Sequence, residues 1–374
     1  MKTGSTLKPT WCGVAAAACL IALATEAGAA PVQRAFVASS PFGNDVNVAS
    51  NCSRTAPCRS FTSALSVVAP GGEIIVLDSA GYGTVTISQS VSIIAPPGIY
   101  AGVTVPSGTF AGVLVTGSNL AVILRGLTVN GQGGYQGILA AAQNSEVYID
   151  RCIVRGFPGP PGTGIRTGSA NLRVYITDTE VTASTLGFFI QDGSTAFLER
   201  VRVDESSGAG LAVGSATPGM GVSVQIRDSE IHTSNEGISV SAGSPNQTMN
   251  LHVERTLVSG NTYGINLFSG DATSPVNATI TASTIATNSV RGLQTFCASG
   301  GTVHAHLTDS VLTDNVNEAV NVLGAGCRVN AGRNTIARNT DSLKNSGGLL
   351  QSYGNNQIGD NTNPPSGVTT IGLQ

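Results

Sequence analysis

Apolar and polar residues alternate along most of this chain in short runs, with the period of two that puts one face of an extended strand against a core. The run Tyr148-Ile149-Asp150-Arg151-Cys152-Ile153-Val154 returns as Tyr175-Ile176-Thr177-Asp178-Thr179-Glu180-Val181 and as Phe197-Leu198-Glu199-Arg200-Val201-Arg202-Val203. It returns again as Gln225-Ile226-Arg227-Asp228-Ser229-Glu230-Ile231, and the register continues through 253–258, 280–285 and 307–312. The residues that close the copies are Thr128, Val154, Val181, Val203, Ile231, Val258, Ile285, Leu312, Ile336 and Ile358, so the steps run from 22 to 28 residues over ten repeats. A second alternating segment follows each copy and opens on a small residue: Gly137, Gly164, Gly187, Gly210, Gly237, Gly264 and Gly292, then Ala319. Neither segment is long enough for a helix.

A repeat this short cannot bury its apolar face alone. Successive copies must stack, each strand pairing in parallel with its equivalent about 4.8 Å away. The predicted fold is therefore all-β: a single-stranded right-handed parallel β-helix, a solenoid of about ten coils. Like residues then fall in columns. Cys152, Thr179, Ser229, Thr256, Ser283 and Ser310 form one, read as small inward residues at a bend. Three positions past the aligned residue, Asn261, Asn288, Asn315, Asn339 and Asn361 form another, an asparagine ladder in which each amide donates to the next coil and also satisfies a sharp turn, where asparagine tolerates left-handed dihedrals.

The two ends read differently. Lys2 and Lys8, an apolar run over 14–24 and the small residues 27–30 have the form of a cleaved export signal over 1–30. No later run approaches the roughly 20 apolar residues a membrane span needs, so no membrane insertion is expected. Ser60 is placed to cap a short helix that buries Phe61, Ala64, Leu65 and Val68 and stops at Pro70-Gly71-Gly72, plugging the open end of the stack. The expected divisions are a cap over 31–72, the β-helix over 73–361 and a C-terminal tail over 362–374.

The segment 61–68, the turn Pro70-Gly71-Gly72, Ile74-Ile75-Val76-Leu77, Gly81-Tyr82 and Val91-Ser92-Ile93-Ile94 resemble the N-terminal cap and first coils of the pectin-lyase-like superfamily of right-handed parallel β-helices. With the repeats, the resemblance covers roughly 33–360. It implies the fold and an extracellular polysaccharide as partner. It does not imply one chemistry, because the superfamily holds lyases, hydrolases, epimerases, esterases, tailspikes and adhesins. The Asn-Thr-Asp, Asp-Asp, Gly-His-Gly and Arg-Ile-Lys segments of polygalacturonases are read as absent, as are the Arg-x-Pro-x-x-Arg of pectate lyases and the Asp-Pro-His-Asp of alginate epimerases. Phe188-Phe189-Ile190-Gln191-Asp192 is faintly similar to the Gln-Asp region of pectin methylesterases, without that family's later residues.

Charge and cysteine usage narrow the picture. Past residue 30 the chain has 17 basic residues, only Lys344 a lysine, against 21 acidic ones, so no basic patch exists for nucleic acid. Five cysteines remain after the signal, an odd number that leaves at least one thiol free in an oxidising compartment. Cys52 and Cys58 are read as a small disulfide staple; zinc is the rival, with no histidine nearby and the wrong spacing. Cys297 and Cys327 lie 30 residues apart against a repeat of 27, which leaves a bridge between them open. The protein is expected in the periplasm or outside the cell, with no cofactor and no metal.

The candidate chemistry lies on the outward face of the first segment. Tyr148, Tyr175 and Phe197 share a column that runs on through Gln225, His252, Thr279 and His306. Asp150, Thr177, Glu199, Arg227 and Glu254 run beside it. Aromatic faces beside carboxylates suit sugar rings and hydroxyls, so Tyr148, Tyr175, Phe197, Asp150 and His252 are the candidate substrate contacts. Glu199 and Glu254, two coils and roughly 9.6 Å apart, stand near the upper separation of an inverting acid/base pair, with Arg227 between them as lyase base or carboxylate clamp. The competing reading is structural: stacked rings and alternating charges stabilise neighbouring strands, and Arg151-Asp178-Arg200-Asp228-Arg255 and Glu180-Arg202-Glu230 repeat the pattern. A polysaccharide-acting exported protein and a non-catalytic surface β-helix are the two functions this sequence supports.

Overall fold

The computed structural model describes residues 30–372 together with Met1 and Gly4. The apolar run over 14–24, read above as part of an export signal, lies outside the described residues. The chain winds into three long parallel sheets of 14, 12 and 11 strands, each strand pairing with its equivalent in the coils above and below. In a typical coil Arg173–Thr177 lies in the first sheet, Glu180–Ser184 in the second and Leu186–Ile190 in the third. Inward residues are wholly buried in columns, as Val154, Val181 and Val203 are.

Each sequence repeat that reads as one strand is two strands around a corner. Asp178 has φ +49°, and Arg151, Arg200, Asp228 and Arg255 repeat this left-handed turn in their own coils. The residue after the corner points inward. There the hydroxyl column satisfies two coils at once: Ser283 Oγ donates to its own Thr281 carbonyl at 2.8 Å and accepts from the Thr256 amide at 3.2 Å. Cys152 takes the same role with its thiol, 3.5 Å from the Asp150 carbonyl. Burial pushes that thiol's pKa up to about 12.

At the next corner the asparagine ladder is continuous from Asn261 to Asn361, with amide-to-amide hydrogen bonds of 3.2, 2.8, 3.0 and 2.9 Å. One detail differs from expectation. The left-handed residue is the one before each asparagine, namely Gly260, Thr287, Asp314, Arg338 and Asp360. That frees the asparagine itself to turn inward and pair. A second, shorter ladder joins Asn334 to Asn356 at 2.9 Å and extends the hydroxyl column. Its spacing of 22 residues, equal to that from Asn339 to Asn361, was the available signal.

The glycines that open the third-sheet segments are there for want of space. A Cβ on Gly264 would lie 2.5 Å from the Gly292 carbonyl oxygen and 2.9 Å from Asn288 Nδ2. The backbone of one coil rests on the next.

Four further expectations are corrected. The position aligned with Val154 is Val129 rather than Thr128, because a slip of one residue would turn the apolar column outward. Val32–Val37, not foreseen as a strand, forms the N-terminal edge of the first sheet. The capping helix Phe61–Val67, capped by Ser60 onto the Ser63 amide, ends without waiting for Pro70. Val68 is already extended, so Pro70-Gly71-Gly72 falls inside the strand Val68–Val76, at a break in its register. Finally, the expected tail still adds a strand, Val368–Thr370, paired with Leu349–Ser352.

Two disulfides form among the described residues. Cys52–Cys58 staples the cap loop with Cα atoms 4.9 Å apart. Cys297–Cys327 joins the end of a third-sheet strand to the start of a first-sheet strand one full turn beyond the next one, Val303–Thr308, with Cα atoms 5.5 Å apart.

Candidate functional site

The outward face of the first sheet brings the expected columns together. Tyr148 pairs in register with Tyr175, and Tyr175 with Phe197. Their rings stack face to face at centroid distances of 4.7 and 5.1 Å, each pair within 9° of parallel. The strand spacing imposes this, since identical positions on parallel neighbours sit one above another. Tyr148, 36% exposed, donates its hydroxyl to Glu146 at 3.1 Å. Partial burial and that carboxylate raise its pKa.

The column continues through Gln225, His252, Thr279 and His306 as expected, and then through Asn330 and Gln351. Two residues earlier in each strand runs a column the sequence reading missed: Thr195, Ser223, Asn250, Asn277, His304 and Arg328. The same alternation would have found it, had the aligned repeat been extended by two positions. Asn277 donates to Asn250 at 3.1 Å. Gln225, Asn250, His252, Asn277, His304 and His306 line a shallow concavity of about 420 Å³, and a smaller one of about 220 Å³ lies between the aromatic stack, Glu199 and Arg227. His252 and His306 are separated by the Thr279 strand, which leaves them no common metal position.

The charged column is zipped shut. Arg227 donates to Glu199 at 2.6 Å and Arg200 also binds Glu199. The hydrogen bond from Arg227 leads the effects that hold the Glu199 carboxyl below its ordinary range. A proton donor for glycosidic cleavage needs the opposite shift. Glu254 is bound by Arg255, with His252 Nε2 3.9 Å away, so Arg227 bridges to one glutamate and not to both. Asp150 accepts from Arg125 at 2.8 Å, Arg151 at 3.0 Å and Thr177 at 2.9 Å.

The neighbouring charge columns pair only in part. Arg200 binds Asp178 and Arg255 binds Asp228, both at 2.7 Å. Arg202 turns to Asp204 instead of Glu180 or Glu230. The chain also carries one polygalacturonase tripeptide the sequence reading passed over, Asn339-Thr340-Asp341. Here Asn339 belongs to the ladder and Asp341 accepts from Lys344 and Asn363 on the third sheet, away from the aromatic column.

The family model for the right-handed beta helix region matches residues 111–280. The fold is that of the pectin-lyase-like right-handed β-helices. Solved structures of this kind include pectate lyase Pel9A, at 18% identity and a TM-score of 0.56 over 91% of this chain and 83% of that one. The A-module of the mannuronan C-5 epimerase AlgE4 from Azotobacter vinelandii is similar at 14% identity and a TM-score of 0.57, over 81% of this β-helix and 90% of the epimerase module. The GH136 lacto-N-biosidase from Eubacterium ramulus is similar at 10% identity and a TM-score of 0.58, over 87% and 68%. No curated protein sequence matches the chain. At such identities the likeness is one of fold.

Proposed function

We propose that this β-helix binds an extended polysaccharide along the outward face of its first sheet, as an exported protein, and that it does so without cleaving the chain. The observation that carries the reading is the coplanar stack of Tyr148, Tyr175 and Phe197, which continues in register into a row of amides and imidazoles. Ring faces give a sugar an apolar platform, and Gln225, Asn250 and Asn277 offer both donors and acceptors to hydroxyl groups further along. Such a site is linear, as a glycan is. The similar solved structures named as a pectate lyase, a mannuronan C-5 epimerase and a lacto-N-biosidase support a carbohydrate partner.

Glu199, Arg227 and Glu254 fit a charge clamp better than an acid/base pair, because two arginines keep Glu199 ionised. The two disulfides and the lack of any helix, among the described residues, long and apolar enough to cross a membrane suit an oxidising, exported setting.

Affinity electrophoresis against a panel of neutral and acidic polysaccharides tests the reading, alongside assays for new reducing ends and for unsaturated uronates. Retardation by at least one polymer is expected, lost in the Y148A/Y175A/F197A variant, with no product in either assay. Retardation unchanged in the triple variant would remove the aromatic platform from the proposal. Product formation abolished by E199Q would restore the catalytic alternative.

A further inference from the structure

Beyond the first-sheet face, the corner between the first and second sheets widens near the N-terminal end into a concavity of about 600 Å³. Later coils turn here within two residues, as at Arg151-Cys152, but the loop 95–100 is longer and overhangs Gly126 and Arg151. Its walls are apolar. Pro96, Pro97, Ile99 and Tyr100 form one side and Ile153 the other, with Tyr100 44% and Ile153 40% exposed.

The rim is cationic. Arg125 and Arg151 both line the concavity, and both bind the same oxygen, Oδ2, of the single carboxylate Asp150. Two guanidinium groups sharing one carboxylate leave a positive charge and several N–H donors unused. Arg155, on the same side of its strand as Ile153, is held by the Asn130 side chain, which in turn donates to the Tyr100 hydroxyl at 2.8 Å. Among the described residues Arg155 has no acidic partner within 4.0 Å.

We propose that this corner is a binding site for a small carboxylate that carries a flat apolar ring. The ring lies between Tyr100 with the two prolines and Ile153, and its carboxylate takes the free N–H groups of Arg125 and Arg151 in paired fashion. The volume lies within the range of small-ligand sites, and apolar walls with a few convergent charged donors are their usual composition. The site is independent of the aromatic column, so a failure of the polysaccharide reading leaves it standing.

Calorimetric titration of the whole protein with 2-naphthoate and with its uncharged amide, 2-naphthamide, tests it. Naphthoate is expected to bind saturably with Kd below about 1 mM, and the amide at least tenfold more weakly. R125Q/R151Q is expected to weaken naphthoate at least tenfold. I153E, which sets a carboxylate on the wall without touching the arginines, is expected to do the same, and Y148A to leave binding unchanged. Circular dichroism melts confirm that each variant is folded. Equal affinity for acid and amide, undiminished binding in folded R125Q/R151Q or I153E, or no saturable heat from naphthoate would each overturn the proposal.

Discussion

Asn288 donates its side-chain amide to the Asn315 carbonyl oxygen one coil further on at 2.8 Å, while its own oxygen accepts both the Asn261 amide group, at 3.2 Å, and the Asn261 backbone N–H, at 3.1 Å. One wholly buried side chain thus links three coils.

Replacing it with alanine leaves the Asn261 backbone N–H without its acceptor in the core, where an unpaired group costs about 1–3 kcal/mol. Asn288→Ala is expected to lower the urea midpoint and to accelerate amide exchange first in the coils of residues 253–320. Exchange spread evenly over the molecule would contradict a local ladder.

Space along the glycine column gives a sharper contrast. Gly264→Ala puts a Cβ against backbone that belongs to the next coil, and overpacking of that kind costs about 1–3 kcal/mol. Gly243 has nothing within 4 Å of its would-be Cβ. Gly243→Ala should therefore leave the thermal midpoint within a degree or two, and equal midpoints for the two variants would show that the stack yields more easily than its geometry implies.

Cys152 should resist labelling. Its thiol is wholly buried and its pKa is pushed up to about 12, so almost none is thiolate near neutrality. Iodoacetamide at about pH 8 is expected to leave Cys152 unmodified in the native, unreduced protein and to modify it in denaturant. Native labelling at the rate of an exposed thiol would place Cys152 outside the core.

The N-terminal cap should loosen in acid. Asp78 accepts from the Ser39 amide at 2.8 Å and from the Ser39 and Tyr82 hydroxyls, and Asp45 accepts from the Arg59 and Ser60 amides at 2.8 and 2.9 Å. Burial raises each carboxyl, but these bonds outweigh it and leave both below the ordinary value. A depressed folded pKa stabilises the cap at every pH above the unfolded value near 4, and the contribution disappears as pH falls through the folded value. Limited proteolysis with an acid protease should cut within 31–60 more readily at about pH 2.5 than at about pH 5. In D45N/D78N that difference should shrink.

The repeat, the order of its columns and the stacking of Tyr148 on Tyr175 were all legible in the sequence, because alternation is a property of a single strand and the stack turns equal spacing into contact. The asparagine ladder was legible for the same reason. Partner choice among charges was not. Arg202 has Glu180, Asp204 and Glu230 within its column or strand, and only side-chain directions in three dimensions give it to Asp204. The bend was legible in its column of small residues, but the residue that takes the left-handed conformation was not, since Asp178 looks like any other polar position in a strand. Nor does spacing bring Cys297 to Cys327, or loop 95–100 over Arg151. Those contacts depend on how far each loop travels before the next coil begins, which only the assembled stack fixes.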